Sequence, residues 1–264
     1  MSYADVNGIS LYYEEHGSGR PLVLLHGGLG AGEMLAPILP RLAEGRRVIA
    51  ADLQAHGHTA DIDRPLALES MADDIAGLIR HLGLDRADVM GYSLGGGVAA
   101  RTAIQHPELV GRLVVTSTPV RRAAWYPEVL VSMDQMGAQA AEMLTRSPMY
   151  ELYSKIAPRV EDFPRLLAKM GDLLRRDYDW TAEVAALAMP VLVVAGDADS
   201  FPPSHAAEFY GLLGGGQRDA GWQGLDRSPS RLAILPGATH YDIFTRPDLA
   251  EAAVAFLDAD ISQP

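Results

Sequence analysis

The chain has no cysteine. That absence removes disulfide frameworks, thiolate metal sites and a cysteine nucleophile together, and it fits a reducing compartment. Lysine is nearly absent as well: only Lys155 and Lys169 occur, so the basic residues are almost all arginine. Positive charge is outweighed, with 22 Lys and Arg against 34 Asp and Glu and a net charge of −12. A surface of that sign repels phosphate backbones, so nucleic acid is not an expected partner. No apolar run approaches the roughly 20 residues needed to span a bilayer. The opening MSYADVNGISLYYEEHG lacks the basic and apolar regions of a signal peptide. The expectation is a soluble, cytoplasmic protein with no membrane partner. Its 264 residues suffice for one large α/β domain with a modest insertion, and a core of that size needs no covalent or metal staple.

What is present is an alternation of short apolar strands with helical patterns. Residues 3–6 and 9–14 flank Asn7-Gly8, the pair favoured in two-residue hairpin turns. PLVLLHGG at 21–28 and RVIAADL at 47–53 read as buried strands. Between them, the helical pattern of 33–44 is interrupted by Pro37 and Pro40. Met71, Ile75, Leu78, Ile79 and Leu82 place a helix over 69–82, with Ser70 as its expected cap and Asp73 and Asp74 in its first turn. A strand at 87–93, a helix at 94–106 stopped by Pro107, and a strand within 109–118 follow. The rhythm stops over 120–188, where only helical patterns occur: about 148–156, 161–176 and 179–187, and a face of Val129, Met133, Met136, Ala140 and Met143. It resumes with strand 189–199, a helix near 204–213, a Gly-rich loop over 214–229, strand 231–240 and a closing helix near 248–258. Such alternation predicts a parallel sheet covered on both faces. Sites in these sheets form at the carboxyl ends of the strands. The block at 120–188 leaves the sheet at that end and is expected to act as a lid.

Gly91-Tyr92-Ser93-Leu94-Gly95 matches G-x-S-x-G between a strand and a helix. A serine on that strained turn is exposed above the sheet edge, and glycines two residues to either side remove the steric clash. Ser93 also sits at a helix N-terminus, where developing negative charge is favoured. A serine nucleophile needs a base. His240, in PGATH after the last strand, is the candidate at the same sheet end. His16, His81, His106 and His205 read as solvated loop or helix residues, and His26 as structural. An acid must then fix the tautomer of the base. Asp197 and Asp199 both follow strand 191–195, and either gives the chain order Ser, Asp, His. For the oxyanion, Leu94 supplies one backbone N–H and the loop His26-Gly27-Gly28-Leu29 another, Gly28 first and Leu29 as the fallback. Trp125, Tyr126, Met133, Met136, Met143 and Met149 gather in the helical block. A methionine face is either packing or an adaptable apolar cleft.

LLHGG at 24–28, DLQAHGHT at 52–59, GYSLGG at 91–96, GDAD at 196–199 and PGATH at 236–240 together resemble the α/β-hydrolase superfamily over nearly the whole chain. The resemblance implies an α/β-hydrolase fold: a mostly parallel eight-stranded sheet flanked by helices. It implies a core of residues 1–119 and 189–264, with a helical cap of 120–188 inserted after the sixth strand. The family's acid stands three residues after the glycine ending its strand, which points from Gly196 to Asp199. The implied activity is serine hydrolysis of a carboxylic ester or lactone by Ser93, His240 and Asp199, without cofactor or metal. The substrate is expected to be a small, apolar molecule contacting Leu29, Trp125, Met133, Met136 and Tyr241. The serine argues against epoxide hydrolases and dehalogenases that use aspartate. Carbon–carbon bond hydrolases, perhydrolases and amidases share the triad, and some proteins of this fold are ligand receptors. Two departures stand out: alanine at 55 where many relatives carry glycine, and His58 where many carry arginine. The loop after His26 also lacks a proline common in relatives.

Overall fold

The computed structural model describes residues 2–259. Strands β1 (Ser2–Val6) and β2 (Ile9–Gly17) form the hairpin around Asn7 and Gly8, both at positive φ. The remaining strands are β3 (Arg20–Leu25), β4 (Arg46–Ala51), β5 (Ala87–Tyr92), β6 (Val110–Thr116), β7 (Val191–Ala198) and β8 (Arg231–Thr239). They make one eight-stranded sheet in the order β1-β2-β4-β3-β5-β6-β7-β8. Only β1–β2 and β2–β4 pair antiparallel; every other pair is parallel. The apolar runs follow from burial on both faces, since successive residues point to opposite sides. Leu22 and Leu24 join one core layer with Leu249, Ala253 and Phe256, while Val23 and Leu25 join the other with Ile75, Ile79 and Val98.

The helices outside the β6–β7 connection are α1 (Leu39–Leu42), α2 (Leu68–His81) and α3 (Leu94–Gln105), with two more that follow β7 and β8. Between β6 and β7 lie α4 (Pro127–Asp134), α5 (Ala141–Leu144), α6 (Pro148–Ile156), α7 (Phe163–Leu174) and α8 (Thr181–Ala185). After β7 comes α9 (Pro203–Leu212), and after β8 comes α10 (Pro247–Leu257). A single bridge, Arg121 to Asp179, is the extended pairing described within that connection.

Three local expectations are corrected. Ser70 does not cap α2: the helix opens two residues earlier, with Ala67 as N-cap, so that Glu69 occupies its first turn. Asp74 is instead buried, bonded by Arg64 and Asn7. The face from Val129 to Met143 is not one helix. Gly137, in fully extended backbone, separates α4 from a 3₁₀ turn at Ala138–Ala140 and from α5, and Met143 is exposed. His205 is not solvated. Helix α9 packs it under the exit of β6, where its Nε2 accepts the Val120 N–H at 3.1 Å.

Candidate active site

Ser93 lies between β5 and α3 with φ 53° and ψ −116°, a left-handed backbone that side chains rarely adopt. The neighbouring glycines explain how the turn closes. A methyl group on Gly91 would stand 2.0 Å from the Gly95 carbonyl oxygen, and one on Gly95 would stand 2.5 Å from that of His26. The strained turn is held by the Ser93 N–H bonded to the Thr116 carbonyl and the Gly97 N–H bonded to the Ser93 carbonyl, each at 3.0 Å. The Thr118 hydroxyl donates to the Ser93 carbonyl at 2.8 Å and braces the turn from β6.

Ser93 Oγ lies 3.0 Å from Nε2 of His240, and Nδ1 of His240 lies 2.9 Å from Oδ1 of Asp199. With the Asp199 carboxylate as acceptor, Nδ1 carries the proton and Nε2 is free to accept from serine. Asp197 takes no part in this relay. Its carboxylate is exposed and accepts the Gly237 N–H at 2.8 Å. The Asp199 side chain is fully buried. Burial pushes its carboxyl up, but hydrogen bonds from His240, Ser117 and the Gly196 N–H outweigh that and hold it below the ordinary value. Tyr92, the residue before the serine, donates to the His240 carbonyl at 2.5 Å and so ties down the loop that carries His240.

The loop after β3 is pinned by polar side chains. The Leu53 N–H donates to Nε2 of His26 at 3.0 Å, which leaves Nδ1 to donate to the Gly27 carbonyl at 2.7 Å. The Gly30 N–H reaches the same carbonyl at 3.2 Å. Because a trans peptide points its N–H opposite its C=O, fixing the Gly27 oxygen fixes the direction of the Gly28 N–H. At the other end of the loop Asp52 accepts the Gly32 N–H at 2.8 Å. His26 therefore sits where the sequence puts it, as a buried structural residue, and burial pulls its pKa down. Gly28 and Leu94 face each other: a methyl on Gly28 would lie 3.8 Å from Leu94 Cβ. Leu94 opens α3, so its N–H has no intrahelical acceptor.

Ser93 and His240 open into a cavity of about 880 Å³, at the upper end of the range for small-molecule sites. Leu29, Trp125, Met133, Met136 and Tyr241, all selected from sequence, line it, as does Met149; Tyr126 and Met143 do not. Trp125 is buried, edge-on to the His240 ring at 5.5 Å, and donates from Nε1 to the Tyr178 hydroxyl at 3.2 Å. Tyr241 is exposed at the mouth. Residues that sequence reasoning missed include Met34, Leu68, Met170 and Leu173 on the walls and Ser117 behind the acid. Ser117 stands directly after β6, and position at a carboxyl strand end was the available signal.

Among the described residues, Glu33, Asp52 and His58 are one group of metal-ligand type, with donor atoms within 4.8 Å of one another. The Asp52 carboxylate already accepts the N–H groups of Gly32 and His58 at 2.8 Å and meets His58 Nδ1 at 3.0 Å. The group is an internal tie between loops, with its buried carboxylate fully occupied. The departure at 58 thus has a local meaning, a hydrogen bond to Asp52, which raises the His58 pKa. The departure at 55 leaves Ala55 at φ 65°.

The alpha/beta hydrolase fold family profile matches residues 20–247. A soluble epoxide hydrolase of Corynebacterium sp. (strain C12) is 39% identical over 115 residues, covering 42% of this chain and only 39% of that relative. The pimeloyl-[acyl-carrier protein] methyl ester esterase of Xanthomonas axonopodis pv. citri (strain 306) is 31% identical over 218 residues, covering 72% of this chain and 82% of the relative. The enol-lactonase from Burkholderia xenovorans LB400 superposes with a TM-score of 0.74 at 23% identity, over 97% of this chain and 100% of that one, a likeness of fold. No helix among the described residues is long and apolar enough to cross a membrane. The chain belongs to the α/β-hydrolase fold family of enzymes.

Proposed function

We propose that this protein is a serine hydrolase of carboxylic esters or lactones, acting through an acyl-enzyme on Ser93. The observation that carries the reading is the relay from Ser93 through His240 to Asp199, opening into a large apolar cavity. Ser93 Oγ attacks the ester carbonyl carbon as its proton passes to His240 Nε2. The negative charge that develops on the carbonyl oxygen is met by the N–H groups of Gly28 and Leu94. Collapse expels the alcohol, which takes the proton from His240, and leaves the acyl group on Ser93. Water then attacks, giving its proton to His240. The second collapse returns the proton to Ser93 and releases the acid. Asp199 holds the imidazole in the required tautomer and stabilises its protonated form throughout.

Residues 120–188 form the cap and residues 1–119 and 189–264 the core in this reading. Helices α4 and α7 supply Met133 and Met170 to the cavity wall, and the link after α4 supplies Met136, with Leu29 coming from the core. Adaptable thioethers and an edge-on tryptophan favour a bulky apolar substrate over a small charged one. No cofactor or metal is assigned a role. Trapping tests the intermediate directly: brief mixing with an ester followed by acid quench and peptide mass spectrometry should place the acyl mass on the peptide bearing Ser93. An acyl mass on another residue, with none on Ser93 at steady turnover, would remove the mechanism.

A further inference from the structure

Lys169 is one of two lysines in the chain, and its surroundings differ from those of the other. Lys155 pairs with Glu151 on the exposed face of its own helix. Lys169, on α7, reaches across to the segment between β4 and α2. Its Nζ lies 2.9 and 2.8 Å from the two carboxylate oxygens of Asp61. It also donates to the carbonyls of Ile62 and Arg64 at 2.8 and 2.7 Å. Arg165 adds a contact to Asp61 Oδ2 at 2.6 Å, and Arg159 donates to the Asp61 carbonyl at 2.8 Å. The Asp61 side chain is almost fully buried, and a compact ammonium with three rotatable donors suits this cup of a carboxylate and two carbonyls.

The next residue, Met170, points elsewhere. Adjacent helix positions are about 100° apart, and Met170 is buried in the cavity wall, where its Cε would stand 3.0 Å from a methyl group on Gly28. One turn of α7 therefore joins an anchor on the core to the wall that closes over the loop beside Ser93. We infer that Lys169 is a specificity-determining positioning residue: held by Asp61, it sets how closely Met170 approaches Gly28 and so how bulky an acyl group fits beside Ser93. This rests on the ester-hydrolase reading above.

The experiment compares wild type, Lys169→Met, Lys169→Arg and Met170→Ala. Its main readout is the ratio of kcat/KM for p-nitrophenyl pivalate to that for p-nitrophenyl acetate. Its second readout is the ratio of labelling rates for a bulky and a small fluorophosphonate, which requires Ser93 to react but not to turn over. Met170→Ala and Lys169→Met should both raise the two ratios, by about tenfold, the discrimination one or two methylenes carry in an apolar pocket. Lys169→Arg, which keeps the charge but not the compact ammonium, should shift the ratios in the same direction by less than Lys169→Met. The inference is overturned if Met170→Ala shifts the ratios while Lys169→Met does not, or if Lys169→Met slows both substrates and both probes equally. Failure of the underlying reading is distinct: Ser93→Ala would then match wild type on both esters.

Discussion

The Ser117 hydroxyl donates to Oδ2 of Asp199 at 2.6 Å, the oxygen that His240 does not use. Ser117 can do this because it leaves β6 at φ 53°, while its own N–H holds the Val194 carbonyl at 2.9 Å. Asp199 is thus set between two neighbouring strand ends. Ser117→Ala should destabilise the fold by about 1.5–3 kcal/mol at pH 7, the range for a hydrogen bond to a buried charge. The sign of its pH dependence follows from the carboxyl being held below its ordinary value. That group stabilises the fold above about pH 4 and the contribution is lost as pH falls through its folded pKa. Urea unfolding should therefore show a larger loss in Ser117→Ala at pH 7 than at about pH 3.

In the proposed mechanism, His26 couples fold to chemistry through one peptide group. Its Nδ1–H holds the Gly27 carbonyl, and that orientation aims the Gly28 N–H. His26→Phe should lower kcat on a p-nitrophenyl ester by about 10- to 100-fold, below the full cost of losing an oxyanion donor. KM should change little, because the cavity walls are untouched. His26→Asn, whose amide nitrogen takes the place of Nδ1, should recover part of kcat. A rise in KM with kcat unchanged would place His26 outside the oxyanion loop's control.

His26 and His56 are both fully buried, and burial holds both pKa values down, that of His56 to about 3. In the unfolded chain each takes a proton near pH 6.5. Below that value the unfolded state binds more protons than the folded one, so stability falls as pH falls. Each histidine should contribute a slope of about 1.4 kcal/mol per pH unit between its unfolded and folded pKa. Chemical denaturation at half-unit steps from about pH 7 to pH 4.5 measures it. A flat profile there would mean that neither histidine is held neutral.

The elbow glycines make a steric prediction. Gly95→Ala would place its methyl 2.5 and 2.6 Å from the carbonyls of His26 and Leu25. Both obstacles are backbone of β3 and its loop, so neither can turn aside. The variant should lose about 3 kcal/mol or more of stability, measured as a shift in urea midpoint, and should lose esterase activity with it.

The strands were legible because burial on both faces writes short apolar runs, and the turn that carries Ser93 because it demands Gly91 and Gly95. Strand ends and the resemblance pointed to His240 and Asp199, whose side chains lie 2.9 Å apart. Three kinds of feature were not legible. The Val129 to Met143 pattern has helical spacing, yet extended backbone at Gly137 breaks it, because the Met136 carbonyl packs against Gly171 and accepts Arg175 at 2.9 Å. Ser117 carries no motif; its role depends on β6 and β7 lying side by side. Lys169 meets Asp61 across 108 residues, and no local spacing announces such a pair.

The most direct test of the central claim is steady-state hydrolysis of a p-nitrophenyl ester series by wild type and Ser93→Ala, with fluorophosphonate labelling of both. Wild type should turn over at least one ester and carry one label, on Ser93. Ser93→Ala should lose kcat by about 10⁴-fold or more and take no label. Equal turnover by the two proteins, or a label that persists in Ser93→Ala, would contradict the assignment of Ser93 as the nucleophile.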